Sequence, residues 1–355
     1  MRTVLLGAGH IGQTIARLLS ESGDYNVTLA DRDARALQAA SALHVEKTLL
    51  DSTDPALLAT LLERADIVIN ALPYHMAVTV ATAARDTGTH YFDLTEDVHA
   101  TQAIAALAAD ARVAFMPQCG LAPGFIGIAA HHLAAGFDEV RDIKMRVGAL
   151  PQFPTNELKY NLTWSVDGLI NEYCHPCEAL RDGERVQVDA LADLEHFSLD
   201  GVEYEAFNTS GGLSSLCQTL AGRVRNLDYK SVRYPGHQAR MKFLLSDLDL
   251  RHDQELLKTI LRKSVPSTMQ DVVLVFVTVS GLREGKLMQE VFTRKIFATR
   301  ANGLEQSAIQ RTTAAGVCAA VDLFRSGKLP RHGFIRQEQI ALPDFLANRF
   351  GVIYA

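Results

Sequence analysis

Six residues near the start of the chain, Gly7-Ala8-Gly9-His10-Ile11-Gly12, restrict its folding more than any others. They follow an apolar, β-branched run at residues 3–6 and open a helical stretch at 11–20. In that setting the first glycine permits a tight turn and the second lets another group approach the backbone. The third lets helix and strand pack closely. A strand that passes into a helix this way belongs to a strand-helix-strand unit, which a parallel sheet accommodates. The N-terminus of that helix presents unpaired N–H groups, a ready site for an anion.

The same alternation continues. Residues 27–30, 67–70, 91–94 and 113–116 read as strands, and the alanine-rich stretches 76–87 and 101–110 read as crossover helices. The predicted fold class is α/β, a doubly wound parallel sheet of the Rossmann type over residues 1–122. Asp31 closes the second strand about 20 residues beyond the glycine turn, where a carboxylate accepts hydrogen bonds from the adenosine ribose hydroxyls and repels a 2′-phosphate. The predicted cofactor is therefore NAD. Arg32 keeps NADP as the alternative, since it is able to neutralise such a phosphate. Ligands of open parallel sheets lie beyond the carboxyl ends of the strands, so the predicted cofactor set extends past Gly7, Gly9, His10, Ile11, Gly12, Asp31 and Arg32. Asp51 and Ser52 are expected at adenine, and Ala71, Leu72 and Pro73 beneath the nicotinamide half, with Asp93 and Leu121 following.

After Gly124 the texture changes. Strand-like runs at 142–147 and 272–280 are separated by polar stretches, including 148–154 and 180–207, that read as connections. A second, α+β domain is expected over residues 123–325, ending in a helix at 305–324. Gly327, Pro330 and Gly333 then break the chain, and the tail 326–355 is expected to fold back on the first domain.

Composition narrows the partners. With 355 residues, 48% of them hydrophobic, the chain can bury two cores. A net charge of -6 and the absence of a basic run exclude a large footprint for nucleic acid or an acidic membrane surface. No apolar run reaches the length of a membrane span and no leader-like segment is apparent, so a cytoplasmic location is expected. Five scattered cysteines suit reduced thiols, and the lone Cys174-His175-Pro176-Cys177 motif reads as structural.

Four later clusters carry more specific information: Trp164-Ser165-Val166-Asp167-Gly168-Leu169, Glu205 to Gly212 with its Thr209-Ser210-Gly211-Gly212 loop, Tyr229 to His237, and Gln306 to Phe324. With the glycine turn and the Gly120-Leu121-Ala122-Pro123-Gly124 exit, they resemble the saccharopine dehydrogenase-like family, and within it the lysine 6-dehydrogenase branch. The resemblance spans nearly the whole chain. It implies a Rossmann domain joined to a substrate and dimerisation domain, a homodimer, and chemistry in the cleft between the domains. The implied reaction is oxidation of the side-chain amine of L-lysine to the semialdehyde, which cyclises to a piperideine carboxylate. The saccharopine branch typically carries arginine in the Trp-Ser-x-Arg-Gly segment, whereas Asp167 stands here. An acidic residue at that place suits a substrate ammonium and opposes a dicarboxylate.

The chemistry sets its own demands. A lysine ammonium loses its proton near pH ~10.4, so forming the neutral amine at pH 7 costs roughly 4–5 kcal/mol. His237 is the candidate base or proton relay, with Lys230 and Asp167 completing the predicted catalytic set. Arg233 and Lys230 suit the substrate carboxylate, Thr209 and Ser210 offer hydroxyl and N–H groups, and Tyr74 and His75 sit at the nicotinamide end. Two rival readings share these residues. One is reductive coupling of the saccharopine or carboxyspermidine type, and the other is a non-catalytic dinucleotide-binding redox sensor.

Overall fold

The structure, a computed structural model, describes residues 1–301 and 304–355. Two compact units emerge, one comprising Met1–Ile128 with Gln310–Ala355 and the other Ala129–Ile309.

The first unit runs β1 (Arg2–Leu6), α1 (His10–Glu21), β2 (Asn26–Asp31), α2 (Ala34–Ala39), β3 (Glu46–Leu49), α3 (Pro55–Leu62), β4 (Ile67–Asn70), α4 (Ala77–Thr87), β5 (His90–Asp93), α5 (Val98–Ala108) and β6 (Ala114–Met116). Its strands are parallel, as the glycine turn and alternating pattern predict. Every residue of β4 is buried, as in a strand covered on both faces. Gly12, Ile15, Ala16 and Leu19 form the buried stripe of α1, with the three- and four-residue spacing of an amphipathic helix. Asp54 and Asp97 cap α3 and α5 by accepting backbone N–H groups of the first turn. The strand Glu46–Leu49 has no apolar run to announce it, because it lies at the sheet edge beside β2.

Following β6, α6 (Phe125–Ala134) leads into the second unit. There stand β7 (Glu139–Pro151), α7 (Val166–Cys174), β8 (Cys177–Arg181), β9 (Glu184–Val188), β10 (Glu195–Leu199), β11 (Val202–Asn208), α8 (Leu216–Leu220), β12 (Val224–Arg233), α9 (His237–Lys242), α10 (Gln254–Ser264), β13 (Asp271–Arg283), β14 (Lys286–Phe297), β15 (Thr299–Ala301) and β16 (Leu304–Gln306). A mixed sheet orders β10-β11-β12-β7-β13-β14, with β8 and β9 branching from β12. Tyr160, Leu169, Tyr173, Phe207, Met241 and Leu257 belong to one apolar core that draws on α7, α9 and α10.

Two expected connections are strands. Residues 148–151 complete β7, and 180–207 contain β9, β10 and most of β11. These strands turn at Asp182-Gly183 and Asp200-Gly201, where both residues have positive φ, the conformation that a two-residue hairpin turn requires. Their alternate positions are exposed, so the apolar content stays low.

The chain closes with α11 (Ala308–Arg325), β17 (Gly333–Phe334) and α12 (Leu342–Ala347). Expected as the end of the second domain, α11 instead belongs from Gln310 onward to the first unit. A Cβ on its Gly316 would stand 2.7 Å from the carbonyl oxygens of Cys119 and Gly120, so the helix packs directly on that segment. β17 then adds a parallel strand beside β6. Asp322 accepts hydrogen bonds from Tyr25, Asn348 and Arg349, pinning the tail within this unit.

Candidate active site

At the carboxyl edge of the first sheet the three glycines are needed for three different reasons. Gly7 has φ +104°, and a Cβ there would meet the Ala71 carbonyl oxygen at 2.7 Å. On Gly12 it would fall 1.8 Å from the Gly7 oxygen. Around Gly9 nothing lies within 4 Å of such an atom, which leaves space for a ligand. Gly9 also caps α1 without any side-chain hydrogen bond, and the first turn carries no acidic residue. Its N–H groups, with exposed His10 and half-buried Ile11 beside them, fit the pyrophosphate of a dinucleotide.

Asp31 stands where the ribose is expected. One carboxylate oxygen accepts the Ala8 N–H at 2.7 Å and the other that of Asp33 at 2.8 Å, so it ties the glycine turn to the end of β2. Arg32 is exposed next to it. Hydrogen bonds from Thr53, assisted by the charge of Arg32, hold the Asp51 carboxyl below its ordinary value. Ser52 is buried. At the end of β4, Ala71 donates to the Leu6 carbonyl and Leu72 to the Asn70 side chain. Pro73 and His75 are exposed, Tyr74 and His75 lie in one short 3-10 turn, and Leu121 is buried. Asp93, expected in the cofactor set, is engaged inside the unit. It is fully buried and accepts hydrogen bonds from Tyr91, Thr95 and Gln118, and burial pushes its carboxyl up to about 6.

In the second unit the predicted site residues separate. Lys230 and Arg233 both lie on β12, three residues apart, and side chains alternate across a strand, so the two point to opposite faces. Lys230 is buried against Glu195 (3.0 Å) and the Asp193 carbonyl. Arg146, paired with Glu195 and Asp228, shares that cluster. Asp167 meets Lys258 at 2.9 Å and Arg262 at 2.6 Å. Burial works against the charge, but those two cations outweigh it and hold the carboxyl below its ordinary value. Both partners belong to α10, so Asp167 joins two helices rather than meeting a substrate ammonium. The cap of α7 is Ser165.

His237 is also removed from proton transfer. It is 0% exposed, its Nδ1 lies 2.9 Å from the Leu158 carbonyl and its Nε2 lies 3.1 Å from the Tyr173 hydroxyl. A carbonyl only accepts, so Nδ1 carries the proton and Nε2 accepts from Tyr173. Burial, reinforced by the charge of Arg233, lowers the imidazole to about 3. Tyr173 in turn accepts from Arg233 Nε at 3.0 Å, so His237 orients the tyrosine that orients the arginine. Glu205 supports this arrangement through the N–H groups of Gly236 and Gln238. Sequence reasoning missed Tyr160, Tyr173 and Glu205. Glu205 opens the cluster that ends in Gly212, but Tyr160 and Tyr173 carry no local signal.

Thr209 shares a hydrogen bond with Ser231, and Ser210 donates to the Asn171 and Glu172 carbonyls. That loop is held inside the unit, with Gly212 against the Tyr229 ring, where a Cβ would come within 2.3 Å. Arg233 differs from the buried cations Arg146 and Lys230. Its guanidinium lies 5.1 Å from the Tyr160 ring and 6.0 Å from that of Tyr173, and among the described residues it forms no ion pair. Cys174 and Cys177 are unpaired thiols, and no metal-binding cluster occurs among the described residues. Among those residues no helix is long and apolar enough to cross a membrane.

Comparison with known proteins agrees with this architecture. Residues 3–116 match the saccharopine dehydrogenase NADP binding domain, a nicotinamide-dinucleotide-binding domain. Residues 120–350 match the saccharopine dehydrogenase C-terminal domain. Among curated relatives, saccharopine dehydrogenase [NADP(+), L-glutamate-forming] of Pyricularia oryzae is 24% identical over 74% of this chain and 60% of its own length. The mitochondrial alpha-aminoadipic semialdehyde synthase of Rattus norvegicus is 24% identical over 65% of this chain. This chain spans only 27% of that larger relative. In fold, it is similar to the apo saccharopine dehydrogenase (L-Glu forming) of Saccharomyces cerevisiae, with a TM-score of 0.78 at 18% identity, covering 97% of this chain and 96% of that one. With both domain matches in succession along almost its whole length, the chain belongs to the saccharopine dehydrogenase family.

Proposed function

We propose that this chain is an NAD-dependent dehydrogenase that oxidises the side-chain amine of L-lysine to the semialdehyde with release of ammonia. Arg233 is the observation that carries the reading. Of the three buried cationic side chains in the second unit, Arg146 and Lys230 have carboxylate partners, and among the described residues Arg233 forms no ion pair, the Glu172 carboxylate acting on it only at longer range. A desolvated guanidinium without a directly paired carboxylate is costly, and a planar carboxylate is its natural two-pronged partner. Among the described residues the buried Tyr160 and Thr163 hydroxyls have no hydrogen-bond partner. One such cation suits a substrate with a single carboxylate at that end, which favours lysine over a glutamate-coupled amine. Asp167, engaged by two cations, no longer contributes to that choice.

Bound at the glycine turn, the dinucleotide would supply the acceptor for a hydride. Gly9 and the first turn of α1 would hold its pyrophosphate and Asp31 its ribose, and the negative charge of Asp31 supports NAD. NADP appears in the names of the matched domain and of the Pyricularia oryzae relative, and Arg32 is the residue able to receive its phosphate. The relatives' names also favour a second reading, in which the amine is saccharopine. A homodimer is part of the proposal and is checked by light scattering.

Incubating the purified chain with NAD or NADP and a panel of L-lysine, saccharopine and other amines tests these readings by reduced-cofactor formation. Turnover of saccharopine without turnover of lysine transfers the assignment to the second reading. Dinucleotide binding with no turnover of any amine supports the redox sensor instead.

A further inference from the structure

The displacement of His237 from the chemistry leaves the amine without a proton acceptor, and the first unit offers one that the sequence did not single out. β5 pairs with β4 so that Asp93 stands opposite Asn70, and the loop after β5 therefore emerges beside Ala71 and Leu72. That loop, residues 94–97, leaves from the carboxyl edge of the sheet, on the side of β1 away from Asp31. The adenosine end of a dinucleotide faces Asp31, so this side faces the nicotinamide end.

Three carboxylates lie in and beside the loop, and two are committed to backbone. Asp93 accepts three hydrogen bonds, and Asp97 caps α5 through the Ala100 N–H. Glu96, half-buried, has no hydrogen-bond or ion-pair partner among the described residues other than its own backbone N–H. We infer that Glu96 is the proton carrier of the reaction, taking a proton from the substrate ammonium before the hydride leaves. The inference rests on the amine-oxidation reading above. In the step an N–H bond breaks and an O–H bond forms on the Glu96 carboxylate. The electron pair stays on nitrogen, ready to form the C=N bond as the hydride departs, and water then hydrolyses the resulting iminium.

The surroundings suit that role. Burial, with added repulsion from Asp97 and Asp93, pushes the Glu96 carboxyl up to about 7. Its acidity gap to an amine that titrates near ~10.4 narrows accordingly, from about a millionfold to about a few thousandfold. A carboxylate with no fixed partner can also serve as the counter-charge for the ammonium, a place the sequence assigned to Asp167.

The test uses the full chain with NAD and L-lysine. Glu96→Gln is expected to lower kcat by about 10²- to 10⁴-fold while NADH binding, followed by its fluorescence, stays at the wild-type level. Formate is expected to restore part of the rate of Glu96→Ala. The infrared difference between wild type and Glu96→Gln should show a protonated-carboxyl band at neutral pH. Wild-type turnover by Glu96→Gln, or a loss of NADH binding that matches the loss of turnover, overturns the assignment and leaves the amine reading intact. A wild type inactive on every amine overturns both, and absence of the infrared band overturns the assignment alone.

Discussion

Replacing His237 by phenylalanine separates a structural histidine from a catalytic one. The substitution keeps an aromatic ring in a fully buried place, yet deprives the Leu158 carbonyl and the Tyr173 hydroxyl of their partner. Leaving a buried polar group unpaired costs about 1–3 kcal/mol, so the two losses should destabilise the chain by about 2–6 kcal/mol at pH 7.5. A second signature comes from linkage. In the unfolded chain the imidazole takes up its proton at its ordinary 6.5, whereas in the folded chain it resists protonation down to about 3. The unfolded state therefore binds more protons between those values, and wild-type stability is full above 6.5 and falls with pH through that window. At pH 5 the loss is about 2 kcal/mol, and the phenylalanine variant escapes it. Urea unfolding at pH 7.5 and pH 5 should show the gap between the two proteins narrowing by about 2 kcal/mol. A constant gap would contradict the buried, neutral imidazole. So would a variant as stable as wild type whose turnover collapses and whose pH-rate profile loses a limb near neutrality.

Arg233→Met should raise the KM for the amino acid by about 10²-fold, the scale of a lost desolvated charge pair, with NADH affinity unchanged. Equal turnover of lysine and of an amine lacking the carboxylate in the wild type would refute the role given to Arg233. Asp31→Ser should shift the ratio of NAD to NADP affinity towards NADP, read by competition binding, and an unaltered ratio would remove Asp31 from the ribose site. Asp167→Asn should lower stability by about 1 kcal/mol or less and leave the KM for lysine unchanged, because its cations are partly exposed partners on α10. Glu195→Gln should cost about 1–3 kcal/mol in urea unfolding, below the range for a fully buried pair since Glu195 is 31% exposed.

Much of the first unit was legible because its constraints are local. The glycine turn, the buried strands and the spacing of Gly12, Ile15, Ala16 and Leu19 all lie within one turn or one strand of one another. The Asp-Gly pairs at 182–183 and 200–201 are equally local signals of hairpins, but the strands they join carry polar residues at alternate positions and so show no apolar run. Glu46–Leu49 gave no such signal, being an edge strand with little to bury.

The roles of charged residues were not legible, since a charge is assigned by what lies opposite it in space. Lys230 and Arg233 share one segment of sequence, but the two-residue period of a strand sends them to opposite faces, one onto Glu195 and the other towards Tyr173. Asp167 meets cations almost a hundred residues further along the chain. By itself the sequence determined a dinucleotide-type first domain, because backbone conformation and hydrophobic period are written in neighbouring residues, and its later motifs carried the resemblance to the family. Only the tertiary structure decided that His237 is a buried strut, that Arg233 is buried with no ion pair among the described residues and that Glu96 has no side-chain partner among them, because partnership and loss of water are properties of the folded chain.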